Sequence, residues 1–233
     1  MASLALGAAV QKALDSVNDP ELDRSLAELG FAEAEVDDAG GATVRIRLPT
    51  FWCAPNFAFL MAEDAREAVA AVPGVRSVEV RLLDHFAGDE VTSAVAGTQS
   101  FDSAFPGLGD GSGLEELRRL FLVKGFTVWQ ERVLRRLLEE GRDEHEVAEM
   151  RLADLDGGEV DCREYLQRRR RLGLPTDGGA RLAVLPNGSN LEADSMHAYL
   201  RRARMTRVSM EANTALCCGL HATRYPERQE VIR

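Results

Sequence analysis

The chain lacks any apolar run of the roughly 20 residues that a membrane-spanning helix requires, and no basic stretch precedes its first apolar residues. We therefore expect no signal peptide and no membrane partner, and we predict a cytoplasmic protein. Lysine is almost absent, with only Lys12 and Lys124. The net charge of −10 argues against nucleic-acid binding, which needs clustered cations. Arginines cluster at 168–171 and 201–207, where we expect solvated helix faces or, alternatively, contacts to carboxylates of a partner.

Cysteine is scarce as well, with four residues in 233, two of them adjacent. Such a set is not the disulfide framework of a small secreted domain. The chain also has no Gly-x-Ser-x-Gly elbow, no phosphate-binding loop ending in Lys-Ser/Thr, and no repeated Glu-x-x-His pair. These absences argue against a serine hydrolase of that type, a nucleotide-binding enzyme and a di-iron oxygenase.

The most informative stretch is a loop that carries Cys53 between a predicted strand and a predicted helix. Residues 42–48 alternate polar and apolar side chains, which predicts a half-buried strand. Residues 56–72 carry apolar side chains at helical spacing, with Asn56 as the expected N-cap. Cys53 then precedes a helix N-terminus, where the dipole favours a thiolate of lowered pKa. Such a thiol can be a nucleophile, a redox group or a soft metal ligand, and a buried, inert cysteine is the alternative.

Further motifs accompany this loop in a fixed order of elements: a helix, a turn, a hairpin, the Cys53 loop, a helix and a strand. They are Asp19-Pro20-Glu21, Leu29-Gly30, Thr50 ahead of Cys53, and Val72-Pro73-Gly74-Val75 leading into Val78-Glu79-Val80. In these features residues 2–86 resemble the small iron–sulfur assembly domain family that includes the SufT and PaaD proteins. The loop departs from the family pattern at Ala54, since proline often follows the cysteine directly.

The resemblance implies a function in assembling or delivering iron–sulfur clusters, in some members alongside iron-dependent oxygenases. Iron or an iron–sulfur cluster would be held transiently by Cys53 and passed to a recipient metalloenzyme or an assembly scaffold protein. Asp19 and Glu21 place carboxylates on a turn, where ionic iron would accept them as weak ligands. Their structural alternative is the common use of Asp-Pro to open turns and cap helices.

The predicted partner-binding residues of the same loop are Phe51, Trp52 and Thr50. Two large aromatic side chains on a loop offer apolar surface to a partner if they are exposed, and belong to the core if they are buried. A metal-free interaction or chaperone-like subunit that binds a partner enzyme therefore stays open. So does a thiol enzyme with Cys53 as nucleophile and His85 as base. We expect a homodimer, and an assembly or carrier factor rather than a catalyst.

Composition divides the chain into residues 1–87, 88–113 and 114–233. The middle part is rich in glycine and other small residues, which is typical of a flexible linker, and we expect Phe101 and Phe105 to anchor it on its own domain. The last part carries apolar residues at helical spacing. The predicted fold class is α+β, with a small α/β domain of order α-β-β-α-β followed by a mainly α-helical C-terminal domain.

A second group of candidate metal ligands lies in the helical half, within a long helix predicted over about 192–222. Cys217 and His221 are four residues apart and face the same side of that helix, whereas Cys218 points about 100° away. A closed zinc site needs four ligands, so the alternative is two small packed residues and a histidine that caps the helix. If this half folds back over the first domain, Cys217 or Cys218 can join Cys53 in one site.

Overall fold

The computed structural model describes residues 2–109, 111 and 114–228. The chain forms two compact units. The first unit consists of residues 1–116 together with 212–233, and the second consists of residues 117–211. The predicted α+β class is confirmed, because a small mixed sheet in the first unit is followed by a mainly helical stretch.

Residues 2–87 of the first unit have the predicted order α-β-β-α-β, with an additional two-residue ladder after the first helix. Their elements in chain order are α1 (Ala2–Leu14), β1 (Asn18–Asp19), β2 (Arg24–Ser25), β3 (Ala32–Val36), β4 (Gly41–Arg47), α2 (Pro55–Ala70) and β5 (Ser77–Leu83). Strand β1 pairs with β2 in a two-residue antiparallel ladder. The main sheet has the order β3-β4-β5, with β3 antiparallel and β5 parallel to β4. Because α2 is the crossover between the parallel strands, the chain enters α2 directly from the Cys53 loop.

Alternation along β4 decides which face of the sheet is buried. Ala42, Val44 and Ile46 are buried, and the residues between them are partly exposed, as period 2 predicts. The hairpin before β4 turns at Gly40, which has φ +86°. A Cβ at this position would lie 2.8 Å from the carbonyl oxygen of Gly74, so the close approach of the two turns requires glycine as well.

Residues 88–104 differ from the predicted linker, because they form α3 (Gly88–Ala96) and α4 (Phe101–Ala104). The prediction that Phe101 and Phe105 anchor this stretch is confirmed. The ring of Phe101 packs edge-on against Phe59 of α2 at a centroid distance of 5.6 Å and stacks on Phe105 at 5.0 Å. Composition misses these helices because burial of apolar side chains, among them Val91 and Val95 of α3 and Phe101 of α4, offsets the low helix propensity around them. Asp110, Ser112 and Gly113 of the predicted linker lie outside the described residues.

The second unit is built from helices and short irregular segments. The remaining elements of the chain are α5 (Glu115–Glu139), α6 (Glu144–Glu149), a 3₁₀ turn (Leu152–Asp154), α7 (Val160–Arg171), α8 (Ala193–Arg224) and a 3₁₀ turn (Pro226–Arg228). The end of α8 from Ala212 and the last 3₁₀ turn belong to the first unit. Helix α5 is continuous over 25 residues. Asp143 caps α6 through a capping box with Glu146. Among the residues described, no helix has the length and apolarity needed to cross a membrane.

A buried polar network at Gln130 organises the core of the second unit. Its amide nitrogen donates to the carbonyl of Val184 at 2.9 Å and to the hydroxyl of Tyr199 at 2.7 Å. Its amide oxygen accepts from the hydroxyl of Tyr165 at 2.6 Å and from the backbone N–H of Val184 at 3.2 Å. Every hydrogen-bonding group of this buried amide is thus used, which makes the network specific as well as stabilising.

The prediction that the arginines of 168–171 lie on a solvated helix face is wrong for two of them, because Arg168 and Arg169 are buried. The guanidinium of Arg169 donates to the carbonyls of Pro175 and Arg181, each at 2.9 Å. A planar group with five donors can satisfy several backbone carbonyls of an irregular segment at once. This contact therefore gives the run a structural role.

Candidate metal site at the Cys53 loop

Cys53 lies in the loop between β4 and α2, two residues before the helix begins at Pro55. The N-cap is Ala54, which offers no side-chain cap, so the predicted N-cap at Asn56 is wrong. Proline occupies the first helical position because its fixed φ suits the helix and its missing N–H would have no partner there. The N-cap is therefore two residues closer to Cys53 than the pattern predicted.

His85 fixes the backbone of this loop. Its Nε2 lies 2.8 Å from the carbonyl oxygen of Cys53, and its Nδ1 accepts from the backbone N–H of Ala87 at 3.2 Å. These partners define a neutral ring that donates from Nε2. Burial lowers the pKa of His85, which also favours the neutral form. Because both ring nitrogens hold backbone groups, His85 positions the Cys53 loop. This geometry does not support the predicted role of His85 as a base toward the thiol.

Asp19 ends β1 and organises the Asp19-Pro20-Glu21 turn. Its Oδ1 accepts hydrogen bonds from the backbone N–H groups of Glu21 and Leu22, each at 2.9 Å. This is the structural role expected of aspartate before proline. Burial nevertheless raises the pKa of Asp19 to about 6, because desolvation outweighs the two hydrogen bonds.

The thiol of Cys53 is partly buried, and its electrostatic environment corrects the prediction of a lowered pKa. Burial, followed by the negative charges of Asp19 and Cys217, raises the pKa of Cys53 to about 12. The backbone N–H of Ala54 at the helix start acts in the expected direction and lowers it, but it is the weaker influence. The metal-free protein therefore carries Cys53 as a neutral thiol at physiological pH.

The last turns of α8 belong to the same unit as the Cys53 loop. Asn213 donates to a carboxylate oxygen of Glu21 at 3.3 Å, and the buried ring of His221 lies 4.8 Å from the ring of Phe31. Burial, Asp19 and Glu21 raise the pKa of Cys217 to about 11. This stretch therefore packs on the domain that carries Cys53, Asp19 and Glu21.

The candidate ligands do not form a ready-made mononuclear site. Within residues 2–109, 111 and 114–228, no group of three or more His, Cys, Asp or Glu side chains is arranged to hold a metal ion. Cys217 and His221 share a helix face, as their spacing predicts, but His221 also packs against the ring of Tyr225 at 5.0 Å. Ligand roles for Cys218 and His221 stay predictions.

An exposed aromatic patch, formed by Phe51, Trp52 and Phe86, flanks the thiol. Their exposed fractions are 49%, 74% and 51%, which places all three on the surface rather than in the core. The rings of Phe51 and Phe86 lie 6.3 Å apart, and the N–H of Phe86 donates to the carbonyl of Phe51 at 3.0 Å. Sequence reasoning missed Phe86, although its place directly after His85 was a signal. Thr50, the third predicted docking residue, is only partly exposed.

Comparison with known proteins places this loop in a family. The family model for iron-sulfur cluster assembly proteins matches residues 7–82. An uncharacterized protein of Methanocaldococcus jannaschii is 35% identical over 77 residues, which cover 33% of this chain and 79% of that protein. The chain belongs to the iron–sulfur cluster assembly protein family. The segment that matches the family model contains Asp19, Glu21 and Cys53, whereas Cys217, Cys218 and His221 lie outside it.

Two further similarities each cover less than half of this chain. An iron–sulfur cluster carrier protein of Deinococcus radiodurans is 39% identical over 74 residues, or 32% of this chain. The chain spans only 21% of that carrier's length. The crystal structure of a domain of unknown function, DUF59, from Bacillus anthracis is 23% identical, with a TM-score of 0.33, covering 42% of this chain and 93% of that one.

Proposed function

We propose that this protein binds iron or an iron–sulfur cluster transiently through Cys53 and delivers it to a recipient metalloprotein. The observation that carries the proposal is the position of Cys53. It lies in the family-matching segment, on a loop fixed by His85, with the charge of Asp19 acting on its thiol. A thiolate beside carboxylates offers iron both a soft and a hard ligand.

The raised pKa of Cys53 supports exchange rather than permanent storage. Iron binds the thiolate, so loading the site must displace the thiol proton, and the free energy of that deprotonation is subtracted from the affinity. Burial and the negative charge of Asp19 make this cost larger than for an ordinary cysteine. A recipient whose ligands are already deprotonated can then take the cargo.

We propose that two surfaces recognise the recipient, one in the first unit and one in the second unit. The aromatic patch adjoins Cys53, so a partner that covers it also covers the cargo. In the second unit, a cleft of about 470 Å³ is lined by Arg135, Leu138, Glu139, His197, Leu200, Arg201 and Arg204. Its excess of cations suits an acidic segment of the recipient, for which charge sets specificity and encounter rate. An iron-dependent oxygenase component is the recipient we propose.

The aromatic patch also supports a second candidate, a metal-free subunit that holds a partner enzyme. In that case Trp52 is the main anchor, because it exposes the largest fraction of its side chain. The two candidates differ in what they require of the thiol. Cys53→Ser abolishes cargo delivery and spares partner binding, whereas Trp52→Ala weakens partner binding in both. Homodimer formation and cytoplasmic location stay predictions in either case.

Cluster transfer to an apo-ferredoxin tests the first candidate. The protein is reconstituted with iron and sulfide without oxygen, desalted and mixed with the acceptor, and the ferredoxin signal is followed by circular dichroism. We expect the wild type and Cys162→Ser to transfer a cluster and Cys53→Ser to transfer none. Cys162 is a matched control because it is fully buried in the second unit. Equal transfer by Cys53→Ser would contradict the proposal.

A further inference from the structure

We infer that Cys217 is a second thiolate ligand of the cargo that Cys53 binds, so that the end of α8 forms one wall of the delivery site. The inference rests on the proposed function and adds a ligand from outside the family-matching segment of residues 7–82. The end of α8 would then bind iron directly. The contacts that α8 makes on either side of Cys217 support this inference.

Two contacts, one turn before and one turn after Cys217, fix the face of α8 that meets the domain. Asn213 donates to Glu21 at 3.3 Å, and the ring of His221 packs 4.8 Å from that of Phe31. Residues 213, 217 and 221 are each four apart and therefore lie along one face of the helix. Cys217 is thus held on the packed face, one turn from the carboxylate of Glu21.

The end of α8 also contacts the segments that carry and hold the Cys53 loop. The guanidinium of Arg224 donates to the carbonyl of Leu48 at 3.1 Å, at the strand end that leads into the loop. The next residue, Tyr225, has its hydroxyl 3.2 Å from the carboxylate of Asp84, which precedes the histidine that binds the Cys53 carbonyl. The helix therefore has contacts at the Asp19-Pro20-Glu21 turn and at the base of the Cys53 loop, with Cys217 between them.

The electrostatic contacts of the two thiols agree with this placement. The negative charge of Cys217 raises the pKa of Cys53, and the charges of Asp19 and Glu21 raise the pKa of both cysteines. Two thiolates that repel one another when ionised are stabilised together by a cation bound to both. Binding would replace two S–H bonds by two iron–sulfur bonds and release both protons to solvent, with no change in oxidation state.

The experiment compares Cys217→Ser with Cys218→Ser, its adjacent control, in protein reconstituted without oxygen. Iron release to an excess of a coloured ferrous chelator is followed after addition of dithionite. We expect release from Cys217→Ser to be at least about tenfold faster than from wild type, because even outer-sphere ligand partners contribute that much in metal sites. Release from Cys218→Ser is expected to stay within about twofold of wild type, a difference of under 0.5 kcal/mol. Thermal unfolding of both variants checks that the helix still packs.

A second readout needs no iron. A short bismaleimide is added to metal-free protein, and peptide mass spectrometry identifies the crosslinked cysteines. We expect Cys53 joined to Cys217 in preference to Cys218, and Asn213→Asp, which places a carboxylate against Glu21, to reduce that crosslink. A crosslink favouring Cys218, or unchanged iron release from Cys217→Ser while Cys53→Ser binds no iron, overturns the inference and leaves the proposed function standing. Absence of iron from the wild type overturns the proposed function, and the inference with it.

Discussion

Metal-free Cys53 is expected to react unusually slowly with a disulfide reagent, even though it is partly exposed. The reacting species is the thiolate, and burial together with the negative charge of Asp19 raises the pKa of Cys53 to about 12. The perturbation that isolates the charge is Asp19→Asn, since an asparagine oxygen can still accept the two backbone hydrogen bonds of the turn. This variant should react faster than the wild type.

The size of the effect follows from the pKa. Raising it from 9.0 to about 12 lowers the thiolate fraction at pH 8 about 1,000-fold. The more basic thiolate is intrinsically more nucleophilic, which recovers about 15- to 30-fold for a Brønsted coefficient of 0.4–0.5. We therefore expect Cys53 to react roughly 30- to 60-fold more slowly than the same cysteine in the unfolded chain. Partial burial of the sulfur should slow it further.

The assay follows dithiodipyridine labelling of native and urea-unfolded protein at pH 8, with peptide mass spectrometry to separate Cys53 from the other cysteines. Between pH 8 and 10 the rate at Cys53 should keep rising without a plateau. Glu79→Gln serves as the control, because that carboxylate is exposed on β5 and paired with Arg81. A native rate equal to the unfolded rate, or a plateau below pH 10, would refute the reasoning about burial and charge.

Three further predictions concern single side chains. Burial raises the pKa of Asp19 from 3.8 to about 6, so its ionised form destabilises the fold above about pH 6. Asp19→Asn should stabilise the metal-free protein by roughly 1 kcal/mol at pH 8 in urea unfolding, a gain that shrinks as the pH falls toward 4. His85→Ala removes the 2.8 Å contact to the Cys53 carbonyl, so faster amide exchange is expected in the loop; unchanged exchange would argue against positioning. Gln130→Leu removes the acceptor of the buried Val184 N–H and the donor to the Tyr199 hydroxyl, and it should cost about 2–4 kcal/mol, against no measurable loss for exposed Glu140→Gln.

The first domain could be predicted closely because its signals are local. Period 2 along β4, helical spacing in α2 and the turn residues around Asp19 and Gly74 each depend on neighbouring positions in the chain. The strand predicted over 42–48 is β4 (Gly41–Arg47), and the long helix predicted over about 192–222 is α8 (Ala193–Arg224). In these segments the secondary-structure propensity of the residues agrees with the hydrophobic pattern, and such agreement allows a fold to be predicted from its sequence.

The electrostatics of the site could not be predicted, because they depend on contacts distant in sequence. The amide at the helix start favours a thiolate at Cys53, but burial and charges from Asp19 and from Cys217, 164 residues later, outweigh it. The same limit applies to Arg169, whose buried guanidinium satisfies carbonyls of the 175–182 segment. The charge of an arginine run can be read from the sequence, but the backbone carbonyls that its guanidinium groups bind cannot.

Iron and acid-labile sulfide per chain, measured in protein purified without oxygen, test the central claim most directly. If Cys53 holds the cargo, we expect bound iron with a visible absorption band in wild type and in Cys162→Ser, and the loss of both in Cys53→Ser. Cys162 is the appropriate control because its sulfur is buried and lies 3.1 Å from the guanidinium of Arg136. Iron retained in full by Cys53→Ser, or none in any sample even after reconstitution, would contradict the claim that Cys53 holds the cargo.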